Sequence, residues 1–373
     1  MYAHADSRHY SRSPLHRKLL PLPLVLAALS LDAAVPLVAA DHTPVTTAGA
    51  ATAAVEPTPG AMVDALHAAF GDHRSRAVHA KGVMATGVFE PSAEAALLSR
   101  APLFAVGSVP VLLRFSDFTG IPNISDTDAH ANPRGMAVKF RMPDGSTTDV
   151  VSHSFNGFPV ATAGEFRELL LALAASGAGV ASPTPLQQFL QAHPIAKTFF
   201  ATQKSPPRSY ADLAYFGVNA FRFTNSDGEQ LFVRYRFLPV DGEAFLSDTE
   251  LADAGPDYLA SELSRRLDDG PVTYRWEVQI AEAGDAPEDP SVAWPESRRV
   301  VELGTISIQA MAQPADKLDR ETVFLPVNVP DGIEPADPML TIRQHAYPIS
   351  FEHRRKRTSP MTESLANPAN EAD

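Results

Sequence analysis

An α+β fold, built as an antiparallel β-barrel of about eight strands with helices at its periphery, is the architecture this sequence predicts. Three observations carry it. Strand-like segments follow one another and are joined by tight Asp-Gly turns, "PDG" at 143–145 and "SDG" at 226–228. Helical stretches interrupt the strands instead of alternating with them, which separates α+β from a parallel α/β sheet. With seven or eight strands in next-neighbour order, closure into a barrel is one way to leave no open edge.

The elements follow in chain order. Residues 59–70 space Met62, Val63, Leu66, Ala69 and Phe70 as one face of an amphipathic helix, with Pro59 at its start. Strands are predicted over 109–116, 134–142 and 147–155, each β-branched or alternating. A second hairpin joins 221–225 to 229–240, and two long strands, 271–283 and 298–311, flank a Pro/Asp-rich loop. Helices are expected near 162–176, 184–193 and 245–267. No internal repeat is visible, so one domain over 58–356 is the economical partition.

The ends read differently. Arg8, Arg12, Arg17 and Lys18 precede "LLPLPLVLAALSLDAAVPLVAA" and then Asp41. A basic region, an apolar region and small residues before a cleavage point after Ala40 make 1–40 a secretory signal. A membrane anchor is the rival, but Asp32, Pro21, Pro23 and Pro36 break the run, so no stable span is expected after cleavage. Periplasmic or secreted location follows. Residues 41–57 read as a flexible lead-in and 357–373 as a polar tail.

Composition excludes several chemistries. There is no cysteine among 373 residues, which removes disulfides, zinc-thiolate sites, iron–sulfur clusters and thiol nucleophiles. The net charge of −13 would become −15 if a leader with four basic and two acidic residues were removed. A nucleic-acid binder needs a basic face, so that class is disfavoured.

Three short motifs carry chemistry-bearing residues. "RAVHAKG" (76–82) places His79 among small residues at what is equally a surface turn. In "LLRFSDF" (112–118), Leu112, Arg114 and Ser116 share one face of a strand, so Arg114 needs either solvent or a buried anion. In "RQHAYP" (343–348), Arg343 and Tyr347 are four apart, so one helical turn brings guanidinium beside phenol. A phenol normally titrates near 10, and a fixed cation favours its anion, a ligand suited to ferric iron. His345 points elsewhere. Taken singly, each motif suits an ordinary structural role as well.

Together with "NPRGMAVKF" and "DVVSHSFNGFPV", these blocks stand in the order found in the haem catalases, and the chain resembles most the short catalase-related peroxidases. The resemblance covers roughly residues 60–356. It implies a catalase-like core holding haem b with ferric iron. His79 would be the distal base, taking a proton from peroxide and returning it to the departing oxygen; such help is typically worth about 10²–10⁴-fold. Ser116 would fix the ring of His79, and Val78 would narrow the approach to the iron. Tyr347 would be the axial metal ligand, with Arg343 keeping it ionised. Arg76, Arg114 and Arg354 match propionate-binding arginines, which gives Arg114 its anion, and Phe166 falls where an aromatic ring stacks on the haem.

Two departures qualify the resemblance. Ungapped alignment puts His153 where catalases carry an Asn that positions peroxide, with Asn156 three residues later. Either Asn156 takes that role through a bulge, or His153 does, or nothing does. Asn132 replaces the usual acid of "DPRG". The 26 residues after Tyr347 leave no room for the C-terminal domains of larger catalases, so no nicotinamide cofactor is expected. The expected activity is reduction of hydrogen peroxide or organic hydroperoxides by a small organic donor, in oxidative-stress defence. A true catalase and a non-enzymatic envelope haem carrier are the alternatives. Oligomeric state is left open.

Overall fold

The computed structural model describes residues 56–355. The leader, nearly all of the lead-in and the polar tail lie outside the described residues.

Nine antiparallel strands form one sheet: β1 (Gly82–Pro91), β2 (Val109–Ser116), β3 (Gly135–Arg141), β4 (Thr147–His153), β5 (Tyr215–Thr224), β6 (Gln230–Pro239), β7 (Val272–Ile280), β8 (Val300–Met311) and the short β9 (Ile333–Pro335). Eight of them run β4-β3-β2-β1-β8-β7-β6-β5, and His153 of β4 pairs with Phe216 of β5, which closes the barrel. β9 adds to β5 beside the seam. The helices among the described residues are α1 (Pro59–Phe70), α2 (Ala95–Leu98), α3 (Ala163–Ala174), α4 (Pro185–Ala192), α5 (Pro194–Ala201), α6 (Asp248–Asp253), α7 (Tyr258–Asp269), α8 (Ala315–Glu321) and α9 (Met339–Arg355). No described helix is long and apolar enough to cross a membrane.

The sequence-predicted elements recur with four corrections. β1 was absent from the expected strands because "GVMATGVFEP" carries two glycines and little β-branched alternation. Its Gly87 sits at a register shift against β8, where a Cβ would come 2.1 Å from the Ser307 carbonyl oxygen, so close approach requires glycine there. The single helix over 245–267 is two, α6 and α7, parted at Gly255-Pro256. β5 starts at Tyr215, six residues earlier than predicted. α2, α5, α8, α9 and the short β9 are additional.

Alternation along β2 divides the wall. Val111, Leu113 and Phe115 enter the barrel interior, while Leu112, Arg114 and Ser116 face outward. The interior is filled by aromatic rings: Trp276 stacks on Phe140 at 5.0 Å and on Phe237 at 5.6 Å between centroids, and it is 1% exposed. Each such pair contributes about 0.5–1.5 kcal/mol beyond burial. A ligand must therefore bind against the outside of the barrel.

What covers that outer wall is a helical layer. Met62, Val63, Leu66 and Phe70 of α1 pack with Ala163 and Leu170 of α3 and with Met339 and Ala346 of α9. Thr58 caps α1 through Ala61 N–H (3.2 Å) with Pro59 in the first turn, and Thr162 and Glu165 form a reciprocal capping box on α3. At the start of α9, the Asp337 carboxylate accepts Met339 N–H (2.8 Å).

Candidate active site

Between the outer wall of β2–β5 and the layer of α1, α3 and α9 lies a largely apolar cavity, with about 1560 Å³ of empty space including its mouth. All eight sequence-predicted site residues line it: Arg76, His79, Arg114, Ser116, Phe166, Arg343, Tyr347 and Arg354. Val78 lines it too.

His79 is held from three sides. Its backbone N–H donates to Phe118 O at 2.7 Å, and φ is +56°, a left-handed conformation that His tolerates better than bulkier residues. Its Nδ1 lies 3.1 Å from Ser116 Oγ, and Phe118 meets its ring edge-on at 5.6 Å. Burial, then the nearby Arg114, His153 and Arg343, push the imidazole down to about 3, so the ring is neutral across the physiological range. Gly135 makes this packing possible: a Cβ there would lie 2.6 Å from Ser116 Oγ and 2.7 Å from His79 Nδ1. Gly135→Ala is therefore expected to destabilise the fold by about 1–3 kcal/mol, the usual range for overpacking, read as a lower midpoint in chemical denaturation with unchanged slope.

One turn of α9 does what the i,i+4 spacing predicted. Arg343 Nε and Nη2 both donate to Tyr347 Oη, at 3.1 and 2.6 Å. Two N–H donors of one guanidinium thus converge on the same phenol oxygen. The third arm, Arg343 Nη1, donates to Asn219 Oδ1 (2.6 Å), and Asn219 Nδ2 donates to Asp337 Oδ2 (2.7 Å). Burial raises Asp337 to about 6, against the pull of these bonds. Asn219 and Asp337 were missed by sequence reasoning. They stand 118 residues apart, and neither carries a local signal. His345 is exposed, as its helical position predicts.

The arginine cluster also meets a carboxylate of the chain itself, Asp319 of α8: Arg114 Nε donates to its Oδ1 at 2.6 Å and Arg76 Nη1 to its Oδ2 at 2.8 Å. Sequence reasoning had no access to it, because 205 residues separate Arg114 from Asp319. Arg76 Nη2 and Arg354 Nη2 both donate to Thr322 O. Burial would raise the Asp319 carboxyl, yet Arg114 and Arg76 hold it below its ordinary value. Burial, opposed by Asp319 and reinforced by Arg114, lowers Arg354 to about 10. Arg76 and Arg114 share the Asp319 carboxylate, and Arg354 joins Arg76 at Thr322 O, so three guanidinium groups stand around one carboxylate.

The two departures resolve unequally. His153 lines the cavity beside Gly135, whereas Asn156 is absent from the lining. His153 Nδ1 accepts Phe155 N–H at 3.4 Å, and its Nε2 is buried without a partner. Burial, then Arg343, lowers this imidazole also to about 3. Asn132 spends its side chain on Lys204 O (3.0 Å), away from the cavity. Two other motif residues prove structural: Arg134 is fully buried and paired with Asp117, while Lys81 pairs with Asp126 at 2.6 Å.

A neutral imidazole and an arginine-bound phenol thus line one apolar cavity, beside a cluster of three guanidinium groups. The sequence profile of the family described as Catalase matches residues 66–371. The chain belongs to the catalase family. A catalase-related peroxidase of Mycolicibacterium paratuberculosis is 38% identical over 302 residues, covering 80% of this chain and 95% of that protein. One from Synechococcus elongatus is 34% identical, covering 82% and 91%. Among solved structures, a bacterial catalase superposes with a TM-score of 0.66 at 22% identity and a fungal catalase with 0.66 at 20%. These last two show the catalase fold, and the match spans only 60% and 59% of their own chains.

The cavity fits haem, the prosthetic group of catalase-family enzymes. Apolar side chains including Val78, Phe118 and Phe166 suit a porphyrin face, and Arg76, Arg114 and Arg354 suit its carboxylates. Tyr347 is the one phenol among the lining residues, and it comes from α9.

Proposed function

We propose that this protein is an exported haem b peroxidase that reduces hydrogen peroxide or organic hydroperoxides at the expense of a small organic donor, in defence against oxidative stress. It is an oxidoreductase of the catalase family acting on peroxide. The observation that carries the reading is the placement of His79 and Tyr347 on one cavity, each already oriented by its own partner, Ser116 and Arg343. A carrier needs Tyr347 and the arginines but has no use for a neutral, serine-oriented imidazole.

A bound haem would be held by Tyr347 at iron and by Arg76, Arg114 and Arg354 at its carboxylates, and it would supply the two-electron reduction of peroxide. The protein's own residues manage protons. With Nδ1–H donating to Ser116 Oγ, Nε2 of His79 is left with the free lone pair. That nitrogen takes the proton from one peroxide oxygen and returns it to the other, which leaves as water or as an alcohol. Arg343 holds the phenol oxygen of Tyr347 with two donated bonds. Phe166 and Phe158, 5.0 Å apart, keep bulk water from this side of the cavity.

His153 sets the balance between donor oxidation and peroxide disproportionation. A second peroxide must be positioned with care to be oxidised, and an imidazole with an unpartnered Nε2 is larger and differently directed than an Asn amide. His153→Asn is expected to raise oxygen evolution relative to donor oxidation severalfold at unchanged haem content. The test of the whole reading is an absorption spectrum with a Soret band, followed by oxygen evolution and chromogenic-donor oxidation at the same peroxide concentration. Vigorous oxygen release without any donor would make the chain a catalase; a Soret band without turnover of either kind would make it a carrier.

A further inference from the structure

Outside the haem cavity, at the edge where α1 and α9 meet, a second group of ligand-type side chains converges. His67 lies in the last turn of α1, Asp72 just beyond it, and His353 in the last turn of α9. One nitrogen or oxygen from each lies within 4.8 Å of the other two. The two imidazole rings are 5.0 Å apart between centroids, and His353 Nε2 is 3.5 Å from Asp72 Oδ2. None of the three lines the cavity described above.

We propose that His67, Asp72 and His353 bind a first-row divalent cation with zinc-like ligand preferences, fastening the last turn of α9 to the last turn of α1. Two imidazoles and a carboxylate, with water in the fourth position, are an ordinary donor set for such an ion. Bond lengths of about 2.0–2.2 Å to tetrahedral zinc place ligand atoms roughly 3.3 Å apart. The side chains here are near that spacing, and Asp72 and His353 are 49% and 35% exposed, so small rotations close the difference.

Two details favour a cation over a plain ion pair. His353 is poorly satisfied: Nδ1 is buried with no partner, and the Nε2 contact to Asp72 is long. Asp72 is already oriented, its Oδ1 accepting Arg74 N–H at 3.0 Å, which turns Oδ2 toward the histidines. The charged and titratable groups facing His67 are Asp64, Asp72, His73 and His353. Burial lowers the His67 imidazole, with Asp72 opposing. His73 stands close but commits Nε2 to Phe70 O at 2.9 Å. From Tyr347 to His353 is about 9 Å along the helix, so the cation would hold the end of the element that carries the phenol.

The test uses the full chain as purified, washed with EDTA and then dialysed against Zn²⁺ alone at pH 7.5. One equivalent beyond the iron content is expected, with micromolar or tighter affinity and a rise in melting temperature. His67→Gln and His353→Gln should each weaken binding at least tenfold and abolish that rise while melting like the wild type without metal. His73→Gln should bind as the wild type does. Absence of stoichiometric binding below about 1 mM Zn²⁺ would overturn the proposal, as would unchanged affinity in both ligand variants or loss of binding in His73→Gln. None of these readouts depends on peroxide turnover, so the peroxidase reading and the cation site fail separately.

Discussion

His79→Ala is expected to keep its haem and lose about 10²–10⁴-fold in peroxide turnover, the usual worth of a positioned acid–base group. Haem retention follows because the groups assigned to hold the cofactor, Tyr347 and the three arginines, make none of their hydrogen bonds to the His79 side chain. The Soret absorbance per protein should match the wild type while the rate of donor oxidation collapses. Unchanged turnover would move the base elsewhere, with His153 the nearest candidate. The pH profile is part of the same expectation. With the imidazole at about 3, the base is already deprotonated at pH 5, so turnover should stay flat from pH 5 to 8 and show no limb near 6.5. Stability runs the other way. A histidine whose folded value is depressed resists protonation only in the folded state, so the contributions of His79 and His153 are complete above about pH 6.5. They are lost progressively as pH falls toward 3.

Tyr347→Phe is the second large effect, and it acts on the cofactor. The substitution removes the oxygen to which Arg343 Nε and Nη2 both donate, leaving two half-buried guanidinium N–H groups without that acceptor, and it removes the phenol proposed to bind iron. Haem content after purification should fall sharply, and any haem retained should show a shifted ferric spectrum. Arg343→Lys is the graded companion. Loss of a partner that orients a ligand typically costs about 10–100-fold in metal affinity or activity, and an ammonium cannot reproduce the forked contact to Tyr347 and Asn219. A Tyr347→Phe protein with the wild-type spectrum would remove the phenol from the iron altogether.

Much of this site was legible because its residues declare themselves locally. Arg114 and Ser116 break an apolar strand on one face, and Arg343 and Tyr347 need only a helical turn to meet. What could not be read were partners with no local signature. Asp319 completes the arginine cluster from a helix with no apolar periodicity, and Asn219 joins Arg343 across 124 residues. β1 was hidden for a related reason: its Gly87 is dictated by the neighbouring strand and weakens the very pattern by which strands are recognised. Whether His153 or Asn156 faces the cavity was a question of register: β3 pairs Gly135 with His153, and His153 is the one of the two among the lining residues.

The filled barrel has a consequence for how this protein can change. Along β2, Val111, Leu113 and Phe115 join the aromatic packing while Arg114 and Ser116 line the cavity, so the residues that hold the fold and those that face a ligand lie on opposite sides of the same backbone. Lineages of such a scaffold are free to retool what the outer side handles while the inner side keeps the chain folded.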